Sequence, residues 1–293
     1  DTATTEIYTL SLPTLFRSSY AKINLSLHVT GKLKSKLHKI ESLVTFAKLH
    51  DTIYIRPTKL KKHKIFFFGK FSKAIKKENT IMSLLKILKN KNIIDNQKFE
   101  IKINKNIPQQ SGMGGGSMNA ASLLNYFIKI KKVNIRAKDL TNLAKLIGSD
   151  VILGINPKNT ILSSNGNLTK INKKLFYHIL ITKPNFGCST KAIYSKVRSF
   201  SKPKYINPKQ SLFNENNIKK NDNELEKVVF KLYPRLKKIK LFLLKLPNIT
   251  FVRMTGSGSS IVAYFQSKKA VDIAAKEFKK KFNDYWCITS KTI

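Results

Sequence analysis

The sequence has few acidic residues, few cysteines and no long apolar run. Its 293 residues include 16 Asp and Glu against 56 Lys and Arg, so the formal net charge is +40. Two cysteines, Cys188 and Cys287, are too few for a disulfide-stapled scaffold and lack zinc-ligand spacing. No apolar run approaches the ~18–20 residues of a membrane span. Residues 1–15 lack the basic start and apolar core of a signal peptide. The sequence therefore indicates a cytoplasmic protein with no membrane partner.

The basic excess first suggests a nucleic-acid partner, because cationic surfaces bind phosphate backbones by counterion release. However, only six of the basic residues are arginine, the side chain best suited to bidentate recognition of phosphate and guanine. The lysines are spread along the whole chain, and 42% hydrophobic residues favour a folded core. We expect a solvated basic surface without a specific nucleic-acid partner. A basic RNA-binding protein is the alternative from another functional class.

Hydrophobic periodicity predicts mixed helices and strands in two lobes. Alternation predicts strands within residues 17–68 and at 99–103, and Asn79 caps a predicted helix that ends near residue 89. The polar segment 202–223 is interpreted as a surface connection. The other predicted elements are helices through residues 123–127 and 136–147, strands at 151–155, 160–162 and 177–181, helices at 223–232 and 234–244, strands at 250–253 and 260–265, and a closing helix at 268–282. This order predicts an α+β fold with an N-terminal lobe at residues 1–157 and a C-terminal lobe at 158–293.

A glycine-rich segment at residues 108–121 follows a predicted strand and opens a predicted helix. Four of the five residues from Gly112 to Gly116 are glycine, which permits positive φ and close approach of the backbone to a ligand. The following helix offers unpaired N–H groups and a positive dipole end. The combination predicts a phosphate site, where Ser117 caps the helix or donates to phosphate. It is neither a Walker A loop nor a Rossmann fingerprint, because the required Lys and third Gly are absent.

Two further segments, residues 19–25 and 254–260, complete an ordered set of three motifs. Ala-Lys-Ile-Asn-Leu at residues 21–25, Gly-Met-Gly-Gly-Gly-Ser-Met-Asn-Ala-Ala at 112–121 and Thr-Gly-Ser-Gly at 255–258 resemble the motifs of the GHMP small-molecule kinases. Ile-Gly-Ser-Asp-Val at residues 147–151 is similar to the family's Leu-Gly-Ala-Asp-Val. The resemblance covers residues 17–290. It is closer to the branch of the family that acts on a cytidine-diphosphate-linked methylerythritol.

The resemblance implies a two-lobed GHMP kinase fold with ATP and substrate in the cleft between the lobes. The N-terminal lobe would be like domain 2 of ribosomal protein S5, and the C-terminal lobe would be ferredoxin-like. The implied reaction transfers the γ-phosphoryl group of ATP, usually with Mg²⁺, to the substrate's 2-hydroxyl group in non-mevalonate isoprenoid synthesis. The implied assembly is a monomer or homodimer, and no metal-ligating side chain is assigned. The alternative is another kinase of the family, acting on homoserine or a mevalonate-type alcohol.

The resemblance assigns catalytic roles to Lys22 and Asp150. Asp150 follows a predicted helix end and precedes a predicted strand, where a carboxylate can accept the proton of a substrate hydroxyl. Lys22 would neutralise charge on the transferring phosphoryl group and hold Asp150 ionised. From the residues alone, capping or ion pairing remains open for Asp150, and a solvated surface position remains open for Lys22.

The resemblance also implies two sets of binding residues. Those for the nucleotide are Lys105, Pro108, Ser111, Gly112, Met113, Gly114, Gly115, Gly116, Ser117 and Asn119. Those for the substrate are Asn24, His38, Thr190, Tyr194, Gly256, Ser257 and Gly258. Asn24 would orient the reacting hydroxyl group. It lies two residues after Lys22, and residues two apart on a strand share a face. His38 would contact the polar edge of cytosine.

The chain departs from the family pattern at two places. Ser-Lys-Leu-His at residues 35–38 stands where the family commonly has Asp-Gly-Tyr-His, so Leu37 replaces an aromatic partner of the cytosine ring. Gln-Gln-Ser at residues 109–111 stands where the family often has Met-Gly-Gly. Tyr194 is therefore expected to supply most of the stacking on cytosine.

Overall fold

The structure is a computed structural model that describes residues 15–34, 37–73 and 75–293. Residues 1–14, which make up most of the segment without signal-peptide character, lie outside these ranges, as do residues 35 and 36. The elements are β1 (Leu15–Asn24), β2 (His28–Lys32), β3 (His38–Thr58), β4 (Lys64–Phe68), α1 (Thr80–Asn90), β5 (Lys98–Asn104), α2 (Gly115–Lys129), α3 (Ala137–Ile147), α4 (Val151–Ile155), β6 (Thr160–Leu162), β7 (Leu168–Lys170), β8 (His178–Lys183), α5 (Thr190–Tyr194), a 3₁₀ helix (Gln210–Phe213), α6 (Glu215–Lys220), α7 (Leu225–Leu232), α8 (Pro234–Leu244), β9 (Ile249–Met254), β10 (Ile261–Phe265), α9 (Lys268–Lys281) and β11 (Trp286–Lys291).

The first sheet is organised around the long strand β3. Its order is β4-β5-β3-β6-β7, and β1 and β2 also pair with β3. Helices α1, α2 and α3 pack on it through a core that includes Leu84, Leu124 and Phe127. Helix α1 begins as predicted, because the Asn79 side chain accepts hydrogen bonds from the amides of residues 81 and 82 at 3.0 and 3.2 Å.

The second sheet is antiparallel, in the order β11-β8-β10-β9. Helices α7, α8 and α9 cover one face through a core that includes Val229 and Phe278. The other face meets the first sheet, where Ile23 and Leu43 share a core with Ile181 and Val262. The α+β, two-lobed fold is thus as predicted, and the junction of the two sheets positions the site described below.

Three sequence predictions are wrong. Residues 151–155 form helix α4 and not a strand, because a short apolar run does not distinguish a strand from a buried helix. The chain does not close on a helix, since β11 follows α9 and pairs with β8. Segment 202–223 is not merely a surface connection, because Tyr205 and Phe213 are fully buried in the core between the sheets.

The division of lobes at residues 157 and 158 stays a prediction. Strands β6 and β7, which follow that point, extend the first sheet, and β8 is the first strand of the second sheet. Among the described residues, no helix is long and apolar enough to cross a membrane.

Candidate active site

Strand β1 presents Lys22 and Asn24 on one face, as the strand period predicts. The Lys22 ammonium group donates to Asn24 Oδ1 at 2.7 Å and lies 3.3 Å from Asp150 Oδ2. The Lys22 side chain is only 7% exposed, whereas the Asp150 side chain is 30% exposed. A nearly buried cation therefore holds a carboxylate that solvent or a ligand can reach.

Asp150 occupies the junction between α3 and α4, two residues after Gly148, the C-cap of α3. Its backbone carbonyl accepts from the amide of Leu153 in the first turn of α4. The start of a helix thus fixes the residue, whereas the sequence predicts the start of a strand. The carboxylate faces the first turn of α2, where a Cβ built on Gly114 would lie 3.4 Å from Asp150 Oδ2.

The glycine-rich segment makes a turn directly before α2. Gly112 and Gly114 have φ of +75° and +65°, which side chains rarely adopt, and Gly114 is the N-cap of the helix. Gly115 and Gly116 lie within the first helical turn. The side chain of Met113 is fully buried, while its carbonyl accepts from the amide of Lys22 at 3.2 Å. The first two motifs are therefore joined through the backbone.

The third motif packs against this turn. A Cβ built on Gly112 would lie 2.0 Å from the carbonyl oxygen of Thr255. The Thr255 hydroxyl donates to the carbonyl of Gly112 at 3.2 Å, and the amide of Gly256 donates to Asn24 Oδ1 at 2.9 Å. Gly258 lies against Met254 and Cys188. All three motifs thus meet at one point between the sheets.

Lys105 lies beneath the first turn of α2. A Cβ built on Gly115 would be 3.4 Å from its Nζ. The ammonium group forms an ion pair with Asp51 of β3, and both side chains are at most 5% exposed. Asp51 also accepts from the amides of Asn106 and Ile107 at 2.7 and 2.8 Å.

Aromatic side chains gather around Tyr194 and form the aromatic end of the site. The rings of His38 and Tyr194 are 5.0 Å apart, and Phe200 lies 6.2 Å from His38. Burial, and secondarily Lys32, lowers the pKa of His38. Burial, and secondarily Asp150, raises the pKa of Tyr194. Since His38 is favoured in its neutral form, one ring nitrogen can donate a hydrogen bond and the other can accept one.

One cleft of about 610 Å³ brings most of the predicted residues together. They are Lys22, Asn24, Lys105, Pro108, Ser111, Gly112, Gly114, Gly115, Gly116, Ser117, Asn119, Asp150, Thr190, Tyr194, Gly256 and Ser257. Within the described ranges, Met113, His38 and Gly258 are not part of its lining. The volume suits a nucleotide or a drug-sized molecule.

Comparisons with known proteins agree with this geometry. The profile of the GHMP kinases N terminal domain matches residues 79–158, and that of the GHMP kinases C terminal domain matches residues 209–284. A 4-diphosphocytidyl-2-C-methyl-D-erythritol kinase of Pelagibacter ubique is 61% identical over 94% of this chain and 98% of its own length. The chain belongs to the 4-diphosphocytidyl-2-C-methyl-D-erythritol kinase family. It is therefore an ATP-dependent kinase of a small molecule.

More distant members and solved structures agree. The kinase of the same name from Clostridium tetani is 31% identical over 94% of this chain and 99% of its own. A crystal structure of 4-(cytidine 5'-diphospho)-2C-methyl-D-erythritol kinase superposes with a TM-score of 0.76 at 22% identity, covering 94% of this chain and 99% of that one. A homoserine kinase from Cytophaga hutchinsonii gives a TM-score of 0.70 at 16% identity, covering 98% and 97%. At such identities, both structures show a shared fold alone.

Sequence reasoning misses several residues in and beneath this kinase's cleft. The sequence pattern does mark Asp51, because this acidic residue takes a buried position between Leu49 and Ile53 in the alternation of β3. Glu78 and Thr80 line the cleft at the start of α1, where the sequence predicts only a helix cap. No local pattern marks them, since they reach the site through the packing of α1 beside α2.

Proposed function

We propose that this chain transfers the γ-phosphoryl group of ATP to the 2-hydroxyl group of 4-diphosphocytidyl-2-C-methyl-D-erythritol. The observation that carries the proposal is the Lys22–Asp150 pair, 3.3 Å apart, at the first turn of α2. Phosphoryl transfer needs positioning and charge neutralisation more than covalent help from the protein. A cation and a carboxylate beside a phosphate-binding helix start supply both.

The phosphates of ATP would bind at the N-terminus of α2. There the left-handed Gly114 directs the backbone into the helix, and the unpaired amides and the helix dipole attract anions. Lys105 supplies a formal positive charge beneath the same turn. Asn119 also lines the cleft, and its buried Oδ1 has no hydrogen-bond partner among the described residues.

Asp150 would accept the proton of the attacking hydroxyl, and Lys22 would stabilise charge on the transferring group. For Asn24 we propose a role other than orienting the substrate hydroxyl. Its side-chain Nδ2 donates to the Ser42 hydroxyl at 2.8 Å, and its Oδ1 accepts from the Lys22 ammonium group and the backbone amide of Gly256. Because these protein contacts occupy its side chain, we propose that Asn24 holds Lys22 in place more than it contacts the substrate.

Mg²⁺ fits this site as a companion of ATP. Nucleotide-bound Mg²⁺ takes most of its oxygens from phosphate and water and needs only one or two protein ligands. The carboxylate of Glu78 and the hydroxyl of Ser117, both in the cleft lining, are oxygen ligands of the kind that it prefers. When bound, the ion would neutralise phosphate charge beside Lys22.

The cytidine portion would bind at the aromatic end of the cleft. Tyr194 offers a half-buried ring, His38 offers a hydrogen-bonding edge, and Thr190 and Ser257 are hydrogen-bonded to each other at 2.8 Å beside it. Leu37 is 65% exposed, so it would contribute at most aliphatic contact. Pyrimidine recognition at this end distinguishes the proposed substrate from homoserine and mevalonate.

The setting of the enzyme is also a proposal. We expect a cytoplasmic monomer or homodimer without a specific nucleic-acid partner. Its two cysteines are free, as a reducing compartment requires.

A coupled assay of ADP release tests the proposal. The purified chain is given Mg²⁺, ATP and one acceptor at a time: the cytidine-diphosphate substrate, homoserine or mevalonate. We expect turnover only with the cytidine compound. Turnover with homoserine or mevalonate at equal or higher kcat/KM would refute the proposed substrate while leaving the kinase assignment intact.

A further inference from the structure

The buried carboxylate of Asp51 has no place in the reaction described above. Asp51 is 0% exposed and Lys105 is 4% exposed, although charged side chains are almost never fully buried unless they are paired. Their ion pair lies between strand β3 and the segment that leads from β5 into the glycine-rich turn. The pair therefore connects the first sheet to the phosphate-binding turn.

The position of Lys105 is electrostatically unfavourable on its own. Its ammonium group lies beneath the first turn of α2, where the helix dipole places about half a positive charge. Two positive centres repel each other until a phosphate arrives, and burial removes the water that would screen them. A fixed negative charge in contact with the ammonium group offsets this repulsion and keeps it there in the absence of ligand.

Asp51 meets that requirement with both oxygens. Oδ2 accepts from Lys105, while Oδ1 accepts from the amides of Asn106 and Ile107. These three residues directly precede Pro108, where the glycine-rich segment begins. The carboxylate thus fixes the ammonium group and the backbone that carries it by separate hydrogen bonds.

We propose that Asp51 is a positioning residue for nucleotide binding, which holds the Lys105 ammonium group under the first turn of α2 so that it meets the phosphates of ATP. This inference rests on the proposed binding of ATP phosphates at that helix start. It does not depend on which alcohol is phosphorylated. Asp51 itself touches no substrate and acts through Lys105.

The first experiment compares Asp51→Asn with the wild type, using calorimetry with a non-hydrolysable ATP analogue. Asparagine keeps the shape and one acceptor oxygen but loses the charge. We expect the Kd of the analogue to rise ~10- to 150-fold, as for losing a hydrogen bond to a charged group. The KM for ATP should rise accordingly, with the KM for the acceptor unchanged. The control is Asp95→Asn, which removes an exposed ion pair with Lys132 and should leave the Kd within about twofold.

A double-mutant cycle separates positioning from a merely structural role. Lys105→Gln removes the cation but keeps a donor for Asp51, and Lys105→Gln combined with Asp51→Asn removes both charges. If Asp51 acts through Lys105, adding Asp51→Asn to Lys105→Gln leaves the Kd within about twofold, because the cation it holds is already absent. This comparison stands even if Asp51→Asn alone fails to fold.

Two results would overturn the inference. One is an unchanged Kd in folded Asp51→Asn, and the other is an equal loss of affinity in both backgrounds, which would place the effect in the amide contacts. Because binding is measured without an acceptor, failure of the proposed substrate leaves the result interpretable. If the wild type itself does not bind the analogue, the proposed function and this inference fall together.

Discussion

Gly112→Ala tests whether the close approach of the glycine-rich turn and the third motif holds the site together. Any side chain at residue 112 faces two costs. Its φ of +75° imposes left-handed strain of ~1–2 kcal/mol. Its Cβ would also lie 2.0 Å from the carbonyl oxygen of Thr255, a backbone atom that cannot rotate away. We therefore expect destabilisation well beyond the strain alone, together with loss of ATP-analogue binding.

Gly166→Ala is a matched control for the strain. Gly166 has a similar φ of +83°, but a Cβ built on it would have as its nearest atom the flexible end of Lys145, at 3.9 Å. This variant should lose only the ~1–2 kcal/mol of left-handed strain and bind the analogue normally. Chemical denaturation gives the unfolding free energy of both variants, and calorimetry gives the Kd. An equal decrease in unfolding free energy for the two substitutions would show that the close approach of Gly112 to Thr255 does not affect stability.

Three further predictions concern the chemistry of individual side chains. Asp150→Asn should lower kcat by ~10²–10⁴-fold. Binding of the ATP analogue should be kept, because Lys22 retains its hydrogen bond to Asn24. More than about a third of wild-type turnover would exclude Asp150 as the base. Tyr194→Ala should weaken the cytidine substrate about 5- to 150-fold in calorimetry and leave ATP affinity within about twofold, and normal substrate binding would place the pyrimidine pocket elsewhere. Burial raises the pKa of both thiols, but Cys188 is buried and its pKa rises to about 11, whereas Cys287 is half-buried. Iodoacetamide at pH ~8.5 should therefore modify Cys287 first, and equal rates by peptide mass spectrometry would contradict this difference in burial.

The raised pKa of Cys188 also gives a pH dependence of stability. Its folded pKa of about 11 exceeds the ordinary value of 9.0. The folded state therefore retains a proton that the unfolded state releases between these values. The contribution to stability is complete below pH 9 and is lost as the pH rises towards 11. The unfolding free energy of the wild type should therefore fall relative to that of Cys188→Ala over that window, and a constant difference between the two would contradict this shift.

Local signals in the sequence predict the parts of the fold that are locally determined. The cap at Asn79 and the glycine-rich turn before α2 depend on hydrogen bonds and backbone angles within a few residues. The motif locates Lys22, and its pairing with Asp150 follows from the meeting of β1, α2 and α4. The order of the three motifs in the sequence is therefore enough to predict this part of the site.

The wrong predictions concern features that depend on distant partners. Residues 151–155 are helical because they pack on α2, where a Cβ built on Gly154 would lie 2.7 Å from Ala121. Strand β11 exists because β8 offers it an edge. Tyr205 packs in the core between the sheets, and Glu41, far away on β3, accepts from its backbone amide at 3.1 Å. The partners of these residues lie far away in the sequence, so the local sequence pattern does not predict them.

The position of the new phosphate distinguishes phosphorylation of the 2-hydroxyl group from phosphorylation of any other hydroxyl group. In 2-C-methyl-D-erythritol, C2 carries a methyl group and no hydrogen, whereas the other hydroxyl-bearing carbons carry hydrogen. A proton–phosphorus correlation spectrum of the product should therefore show a new monoester phosphorus without coupling to a carbinol proton. We expect this signal with the wild type and not with Asp150→Asn. Coupling of the new phosphorus to a carbinol proton, or a product formed equally well by Asp150→Asn, would contradict it.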